Sequence, residues 1–152
     1  MRDVTIRCMA VAEGFVARKQ RSLILTGPAG IGKSSLAGAI ASFVVTRCDN
    51  QSVRWQSAIQ LALARADSGI GSTPLDIERC QAVSLLVLDD LGTESARGVD
   101  TMREVIHGRF DDGRPTIYTT WLNGREISKR YGGGTARRIL ERSTVVDMGV
   151  KS

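Results

Sequence analysis

The sequence predicts an α/β fold, a three-layer sandwich in which helices cover both faces of a five-stranded parallel sheet. Short apolar runs alternate with segments of helical periodicity along the chain, which is the order that a parallel sheet requires. The run at residues 85–88 is apolar at every position, as expected of a strand that is buried on both faces. The length of 152 residues suffices for one domain with a substantial core, so we expect a single domain over residues 1–152.

The N-terminal half is predicted to hold three helices and two strands, with a polar, basic connection after the first helix that runs up to residue 21. Turn-forming residues at 49–51 end the second helix. In chain order, the predicted elements are a helix at 4–16, a strand at 22–26, a helix from 34 to about 47, a strand at 53–55 and a helix at 57–66 with apolar positions Ile59, Leu61, Leu63 and Ala64.

The C-terminal half adds three strands and four short helices, separated by loops at 68–74, 93–98 and 111–114. Thr73 and Pro74 are expected to begin the first of these helices, and Thr135 is expected to cap the last one after a break at three glycines. The predicted elements are a helix ending at 80, a strand at 83–88, a helix at 102–110, a strand at 115–120, a helix at 126–131, a helix at 136–141 and a strand at 144–148. The chain ends soon after the fifth strand, so we expect no helical lid domain.

Composition narrows the possible functions. The formal net charge is +5, and arginine supplies most of the positive charge because only four of the 21 basic residues are lysines. This excess of positive charge is compatible with binding to nucleic acid and equally with a nucleotide site. Aromatic residues make up only 5% of the chain, which disfavours nucleic-acid binding by rows of stacked rings.

The three cysteines Cys8, Cys48 and Cys80 lie far apart and form no CxxC pair, so the sequence indicates no zinc site. We expect them to be reduced and to pack as small apolar residues. The sequence contains no signal peptide and no apolar run long enough to span a membrane. We therefore expect a cytoplasmic protein without a membrane partner.

One motif follows the first predicted strand and opens the next helix. It fits the phosphate-binding pattern G-x-x-x-x-G-K-[ST] at every fixed position. In this pattern backbone N–H groups surround the phosphates, Lys33 contacts the outer phosphates, and the hydroxyl of Ser34 is a ligand for Mg²⁺. The predicted nucleotide-binding residues are Gly27, Pro28, Ala29, Gly30, Ile31, Gly32, Lys33, Ser34 and Ser35.

A second motif is the run of aliphatic residues that ends in Asp89 and Asp90. Acids at the carboxyl end of a buried parallel strand lie where open α/β sheets bind their ligands. This is the Walker B arrangement, in which Asp89 holds Mg²⁺ directly or through a water and Asp90 polarises the attacking water. Together the two motifs predict a P-loop NTPase that binds ATP and Mg²⁺.

These residues resemble the AAA+ ATPases, in particular the bacterial helicase-loader and transposition-helper group of the DnaC and IstB type. The resemblance rests on GPAGIGKSSLAGAIA, on LLVLDDLG, on GRPTIYTT, and on RYG followed by ARRIL. It covers almost the whole chain, from about residue 11 to residue 148.

The resemblance implies further site residues. The strand after Walker B carries sensor 1 in such proteins, which points to Thr119 or Thr120, with Trp121 in the position where the family usually has asparagine. Arg138 corresponds to the arginine finger, which reaches the γ-phosphate in a neighbouring subunit, and Arg137 is the second candidate. The implied partners are other copies of the chain on ATP binding, a replicative helicase and single-stranded DNA.

Three functions remain open from the sequence. The first is an ATPase of the helicase-loader type, which hydrolyses Mg²⁺–ATP on assembly with single-stranded DNA or a helicase. The second is an ATP-switched binding module of transposition or replication with little turnover, which Trp121 and the missing lid favour. The third is a P-loop small-molecule kinase, which the double-aspartate strand end disfavours.

Overall fold

A computed structural model describes residues 2–19 and 21–149 of the chain. Over these described residues the chain forms seven helices and five strands, with a single 3₁₀ turn at Ala96–Gly98. The elements are α1 (Arg2–Val16), β1 (Ser22–Thr26), α2 (Lys33–Arg47), β2 (Val53–Ser57), α3 (Ala58–Asp67), α4 (Leu75–Ala82), β3 (Leu85–Leu91), α5 (Val99–Asp111), β4 (Thr116–Thr120), α6 (Gly124–Tyr131), α7 (Gly133–Glu141) and β5 (Ser143–Asp147).

The five strands form one sheet in the order β2-β3-β4-β1-β5, and every neighbouring pair is parallel. This confirms the predicted α/β fold with a five-stranded parallel sheet. Because all strands run the same way, the loops after β1, β3 and β4 meet at the carboxyl edge of the sheet. The phosphate-binding loop follows β1, and the two aspartates stand at the end of β3.

Successive residues of each central strand enter opposite halves of the core, as the pleat of a strand requires. Leu86 and Leu88 of β3 pack with residues of α3 to α7. Leu85 and Val87 pack on the other face with residues of α1 and α2. Both faces of β3 are therefore dry, which explains the unbroken apolar run in the sequence.

A buried arginine closes the amino edge of the sheet. Arg109 is 1% exposed, and its guanidinium donates to the carbonyls of Cys80, Val83 and Pro115, each at 2.7 Å. It also donates to Thr116 Oγ1 at 2.9 Å. Burial lowers the pKa of Arg109 to about 10, so the residue stays charged at neutral pH. This arginine holds the end of α4 and the starts of β3 and β4 together.

The structure corrects several local predictions. Strand β3 continues through both aspartates to Leu91, three residues beyond the predicted end. Helix α7 begins at Gly133, so two of the three glycines predicted to break the chain belong to the helix. Thr135 does not cap the helix, because it lies inside α7 and its hydroxyl is 2.8 Å from Nε2 of His107.

Of the four apolar positions predicted for the helix after β2, only Leu61 is fully buried. Ala58 and Leu61 of α3 are fully buried, whereas Ile59 and Leu63 are 43% and 57% exposed. Trp55 is 45% exposed because β2 is the edge strand of the sheet, where one side of the strand has no neighbour. Within residues 2–19 and 21–149, no helix is long and apolar enough to cross a membrane.

Candidate functional site

The loop between β1 and α2 has the backbone of a phosphate cradle. Gly30 and Gly32 have φ angles of 77° and 97°, a left-handed conformation that glycine adopts without strain. A Cβ added at either residue would meet no atom within 4 Å, so backbone conformation and not space selects glycine here. Gly32 directly precedes α2, and the free N–H groups of the first turn of α2 favour an anion at that point.

The lysine of this loop is held against the loop itself. Lys33 is 7% exposed, and its Nζ donates to the carbonyls of Gly27 and Pro28 at 2.8 and 2.7 Å. The ammonium is thereby fixed inside the curve that a phosphate chain would occupy. The last residue of this loop is thus bonded to the first two, Gly27 and Pro28.

Two hydroxyl groups from distant segments converge on one carboxylate oxygen. Ser34 Oγ at the start of α2 donates to Asp89 Oδ1 at 2.7 Å. Thr119 Oγ1 on β4 donates to the same oxygen at 2.6 Å. The Thr119 hydroxyl in turn accepts the backbone N–H of Asp90 at 2.9 Å. The three segments predicted from sequence to hold metal and γ-phosphate therefore meet at Asp89 Oδ1.

Asp90 has an unusual backbone and a perturbed carboxyl group. Its φ angle is 56°, and it is one of two non-glycine residues with a positive φ in the described part of the chain. Desolvation by its surroundings and then the charge of Asp89 raise the pKa of Asp90, while Lys33 opposes them. A carboxylate with a raised pKa accepts a proton more readily than an ordinary aspartate does.

The two threonines proposed for sensor 1 have different surroundings. Thr120 Oγ1 donates to the carbonyl of Leu91 at 2.7 Å and accepts the N–H of Leu122 at 3.1 Å. These bonds hold the end of β4 to the end of β3, and they leave the hydroxyl little capacity for a ligand. Of the two threonines only Thr119 contacts Asp89, so Thr119 is the better candidate for sensor 1.

Trp121 stands at the mouth of the site. It is 52% exposed, and with Pro28, Ala29, Asn123 and other residues it lines an open cavity of about 660 Å³ beside the loop. The indole offers a flat apolar surface and one N–H donor, but no acceptor for a water.

The predicted arginine finger lies away from the chain's own phosphate loop. Arg138 is on α7, where its Nη1 donates to the carbonyl of Gly134 at 3.1 Å and its guanidinium lies 5.9 Å from the ring centre of Phe110. Phe110 is near the end of α5, at the amino edge of the sheet. Arg137 is exposed and pairs with Glu141 at 3.4 Å. Neither arginine can therefore serve the chain's own site in this arrangement.

The sequence predictions missed a buried acidic residue next to the site. The side chain of Glu94 is fully buried and accepts the N–H of Gly92 at 2.9 Å. It also accepts the hydroxyl of Tyr131 and pairs with Arg130 at 3.4 Å. Burial and then the hydrogen bond and charge of Glu94 raise the pKa of Tyr131, which stays a neutral donor. The only signal in the sequence was a glutamate two residues after the glycine of DDLG.

The geometry agrees with comparisons to known proteins. A family model described as IstB-like ATP binding protein matches residues 5–146. The structure of DnaI is similar with a TM-score of 0.82 and 25% identity, over 95% of this chain and 85% of that chain. The DnaC helicase loader is similar with a TM-score of 0.81 and 20% identity, over 95% and 89% of the two chains.

A replication initiator shares the fold over part of its length. The structure of DnaA bound to AMPPCP and single-stranded DNA has a TM-score of 0.75 and 17% identity, over 93% of this chain and 45% of that chain. No curated protein matches the chain in sequence.

Proposed function

Because the chain belongs to the family of IstB-like ATP-binding proteins, we propose that it binds Mg²⁺–ATP at the carboxyl edge of its sheet and hydrolyses the ATP when it assembles. The partners that we propose for assembly are other copies of the chain, single-stranded DNA and a replicative helicase. The observation that carries this proposal is the convergence of Ser34 and Thr119 on one oxygen of Asp89.

The residues at this point suit a magnesium ion. A serine hydroxyl and an aspartate oxygen are hard oxygen ligands, and Mg²⁺ in nucleotide sites is bound by one or two such groups together with phosphates and waters. Ser34 and Asp89 would hold the ion. When bound, the ion would neutralise charge that develops on the phosphate oxygens.

The remaining groups have distinct roles in the proposed hydrolysis. Lys33 would move its ammonium from the loop carbonyls to the outer phosphates of ATP. Asp90 would orient the attacking water and accept its proton, which its raised pKa favours. Thr119 would hold the backbone N–H of Asp90 and so fix the direction of that carboxylate.

Arg138 is proposed as an arginine finger that acts on a neighbouring copy. Its position near the amino edge of its own sheet supports a role in another subunit, because the chain's own phosphate loop is at the opposite edge. An arginine finger stabilises charge in the transition state of phosphoryl transfer, which implies slow hydrolysis by a monomer.

A second candidate function is an ATP-switched binding module with little turnover. Trp121 favours it, because an indole cannot accept a hydrogen bond from the attacking water as the usual asparagine side chain can. In that case bound ATP would control contact with a partner, and most of it would dissociate from the site without being hydrolysed.

Steady-state hydrolysis with and without single-stranded DNA separates the two candidates. We expect DNA to stimulate phosphate release to water, and we expect Asp90→Asn to lower turnover at least 100-fold while ATP still binds. Asp67→Asn, a change at an exposed aspartate at the end of α3, is the matched control and should leave turnover and ATP binding unchanged. Tight ATP binding with negligible turnover in all conditions would instead support the switch, and unchanged turnover in Asp90→Asn would exclude Asp90 as the base.

A further inference from the structure

The open cavity beside the phosphate loop carries acidic charge only. It is the cavity of about 660 Å³ at whose mouth Trp121 stands, and the start of the loop forms part of its wall. Its charged residues are Glu126 on α6 and Asp147 at the end of β5. No lysine, arginine or histidine is among the described residues that line it, and we call it the acidic cavity.

Both carboxylates of the acidic cavity lack a cationic partner. In the described part of the chain, neither Glu126 nor Asp147 forms an ion pair. Glu126 accepts the backbone N–H of Asn123 at 2.7 Å, and Asp147 accepts that of Gly149 at 2.9 Å. An ionised carboxylate can accept several donors, so each of the two keeps acceptor capacity toward the cavity.

Trp121 adds an aromatic face to these two acids, and its side chain is half exposed. A guanidinium stacks on the face of an indole and donates to carboxylates from its edge, so a ring beside two unpaired acids suits an arginine side chain. Within the described chain, no three acidic, histidine or cysteine side chains come together as a metal site would require. The chemistry of the cavity therefore favours an arginine.

The opposite edge of the sheet carries such arginines. A cavity of about 810 Å³ at the amino edge is lined by Arg138, Arg142 and five further basic residues, and by no aspartate or glutamate among the described residues. Arg142 is exposed and forms no ion pair in the described part of the chain. Its guanidinium carbon lies 4.5 Å from the ring centre of Phe110, and this stacking holds the side chain at the surface.

The spacing of two arginines connects the two cavities. Arg142 follows Arg138 by one helical turn at the end of α7, and both guanidinium groups lie near the ring of Phe110. The proposed function brings Arg138 to the γ-phosphate of a neighbouring copy. Because the segment from Gly27 to Ala29 lines the acidic cavity, an arginine that accompanies Arg138 would arrive beside this cavity.

We propose that the acidic cavity of one copy receives Arg142 of the next copy, stacked on Trp121 and paired with one of the two carboxylates. The occupant is a second copy of this chain, because the two cavities have opposite charge and stand at opposite edges of one sheet, which a head-to-tail contact brings together. The inference rests on the proposed function in placing Arg138 at a neighbouring ATP site. It adds a second arginine to that contact and gives Trp121 a role in assembly.

Charge reversal on the two sides of the contact tests the proposal. Arg142→Glu places an acid at the amino edge, and Asp147→Arg places a base in the acidic cavity. Either variant alone would set like charges against each other, whereas an equal mixture can alternate the two chains so that every contact joins opposite charges. Light scattering measures assembly in Mg²⁺–ATP, with and without single-stranded DNA, over a range of chain concentrations. ATP binding and urea unfolding are measured on each chain alone.

We expect either variant alone to need at least about a tenfold higher concentration than the wild type to assemble, because like charges in a contact are strongly unfavourable. The mixture should regain most of the wild-type assembly. Neither chain should lose ATP binding or unfold earlier. Glu78→Arg and Arg79→Glu are the matched controls, since both residues are exposed on α4 and line neither cavity, and each control should assemble alone as the wild type does.

Trp121→Leu tests the aromatic face, because leucine keeps an apolar side chain and removes the ring. We expect assembly to need roughly a threefold or greater increase in concentration, in line with the loss of a cation–π contact. Trp55→Leu is the matched control, since Trp55 is similarly exposed and lines neither cavity, and it should leave assembly unchanged.

Several outcomes would overturn the proposal. They are a mixture that assembles no better than its two components, a single reversal that assembles as the wild type does, equal effects of the two tryptophan changes, and a wild-type chain that stays monomeric with ATP and DNA. Rescue of assembly in the mixture without phosphate release would contradict the proposed hydrolysis and support the contact. DNA-stimulated hydrolysis with normal assembly of both single variants would do the reverse.

Discussion

At the scale of single residues, the candidate site depends on one carboxylate oxygen. Asp89 Oδ1 accepts hydroxyl groups from Ser34 and from Thr119, which belong to a helix and to a strand on either side of it. Thr119 also accepts the N–H of Asp90, so it links both acids of the pair. A threonine that looks like an ordinary strand residue in the sequence is therefore tied to the chemistry of the site.

Thr119→Val tests this link, because valine keeps the shape of threonine and lacks the hydroxyl. We expect turnover to fall at least tenfold, since the N–H of Asp90 loses its partner and the carboxylate loses its fixed direction. We also expect the free energy of unfolding to fall by about 1–2 kcal/mol, because a partly buried N–H is left without an acceptor. Steady-state hydrolysis and urea unfolding measure the two effects.

Thr119→Ser is the control for this change, because it keeps the hydroxyl and loses only a methyl group. It should retain most of the activity. Thr120→Val should lower stability through the lost bond to Leu91 while it affects turnover less than Thr119→Val does. Equal loss of turnover at both threonines would contradict the distinction between them.

Arg109 is the single residue on which the amino edge of the sheet depends most. Its replacement by methionine would remove a donor from five carbonyls and one hydroxyl. We expect the free energy of unfolding to fall by about 3–5 kcal/mol. Arg109→Lys should lose somewhat less, because its ammonium still reaches some of the acceptors, although not all of them. Chemical denaturation measures the loss, and a decrease below about 1 kcal/mol would show that water replaces the guanidinium at no great cost.

At the scale of secondary-structure elements, Glu94 joins the segment after β3 to helix α6. The carboxylate holds the N–H of Gly92 on one side and the hydroxyl of Tyr131 on the other. A buried carboxylate must be fully hydrogen-bonded, so the position of α6 and the path of the chain after Asp90 depend on each other. The hydrogen bond to Glu94 is a structural role for Tyr131, the tyrosine of the RYG motif.

Tyr131→Phe removes one arm of this contact and little volume. We expect a loss of about 1–3 kcal/mol in the free energy of unfolding. We also expect lower turnover, because the segment that carries Asp90 becomes less well fixed. Tyr118→Phe is the matched control, since Tyr118 is also buried but lies toward the amino edge of the sheet. If Tyr118→Phe lowered turnover as much as Tyr131→Phe does, the effect would be a general loosening of the core.

At the scale of the whole molecule, the two edges of the sheet carry different charged groups. The carboxyl edge holds the proposed ATP site with its aspartates, and the amino edge carries Arg138 in a cavity lined by basic residues. With the proposed arginine finger Arg138 at one edge and the proposed ATP site at the other, the chain suits a head-to-tail assembly. In such an assembly each copy would complete the ATP site of the next.

Arg138→Ala tests this arrangement. We expect ATP binding by the isolated chain to be unchanged, and turnover of the assembled chain to fall at least 100-fold. Light scattering with and without ATP reports assembly, and mixing Arg138→Ala with Asp90→Asn should restore part of the activity at the interface that keeps both residues. A chain that stays monomeric in ATP and DNA, with the same turnover as Arg138→Ala, would contradict a finger in trans.

Sequence patterns located most of the fold and the centre of the site because these features depend on local spacing. The glycines and lysine of the phosphate loop act within eight consecutive residues, and the apolar run before Asp89 records burial on both faces. The prediction for α3 was less successful, because the spacing of apolar residues alone does not show which of them meet the core. Trp55 is exposed because its strand lies at the edge of the sheet, and strand order is not written in local sequence.

By itself, the sequence determined that this protein is a parallel α/β domain with a Walker-type nucleotide site, since both conclusions follow from residues that are neighbours in the chain. Only the tertiary structure decided which of Thr119 and Thr120 contacts Asp89, because the Thr119 hydroxyl meets this aspartate across 30 residues of the chain. It also decided that Glu94 is buried against Tyr131, and that seven basic residues from separate segments line one recess at the amino edge of the sheet. The physical reason is the same in each case: hydrogen bonds and electric fields act over a few ångströms in space, wherever the residues stand in the chain.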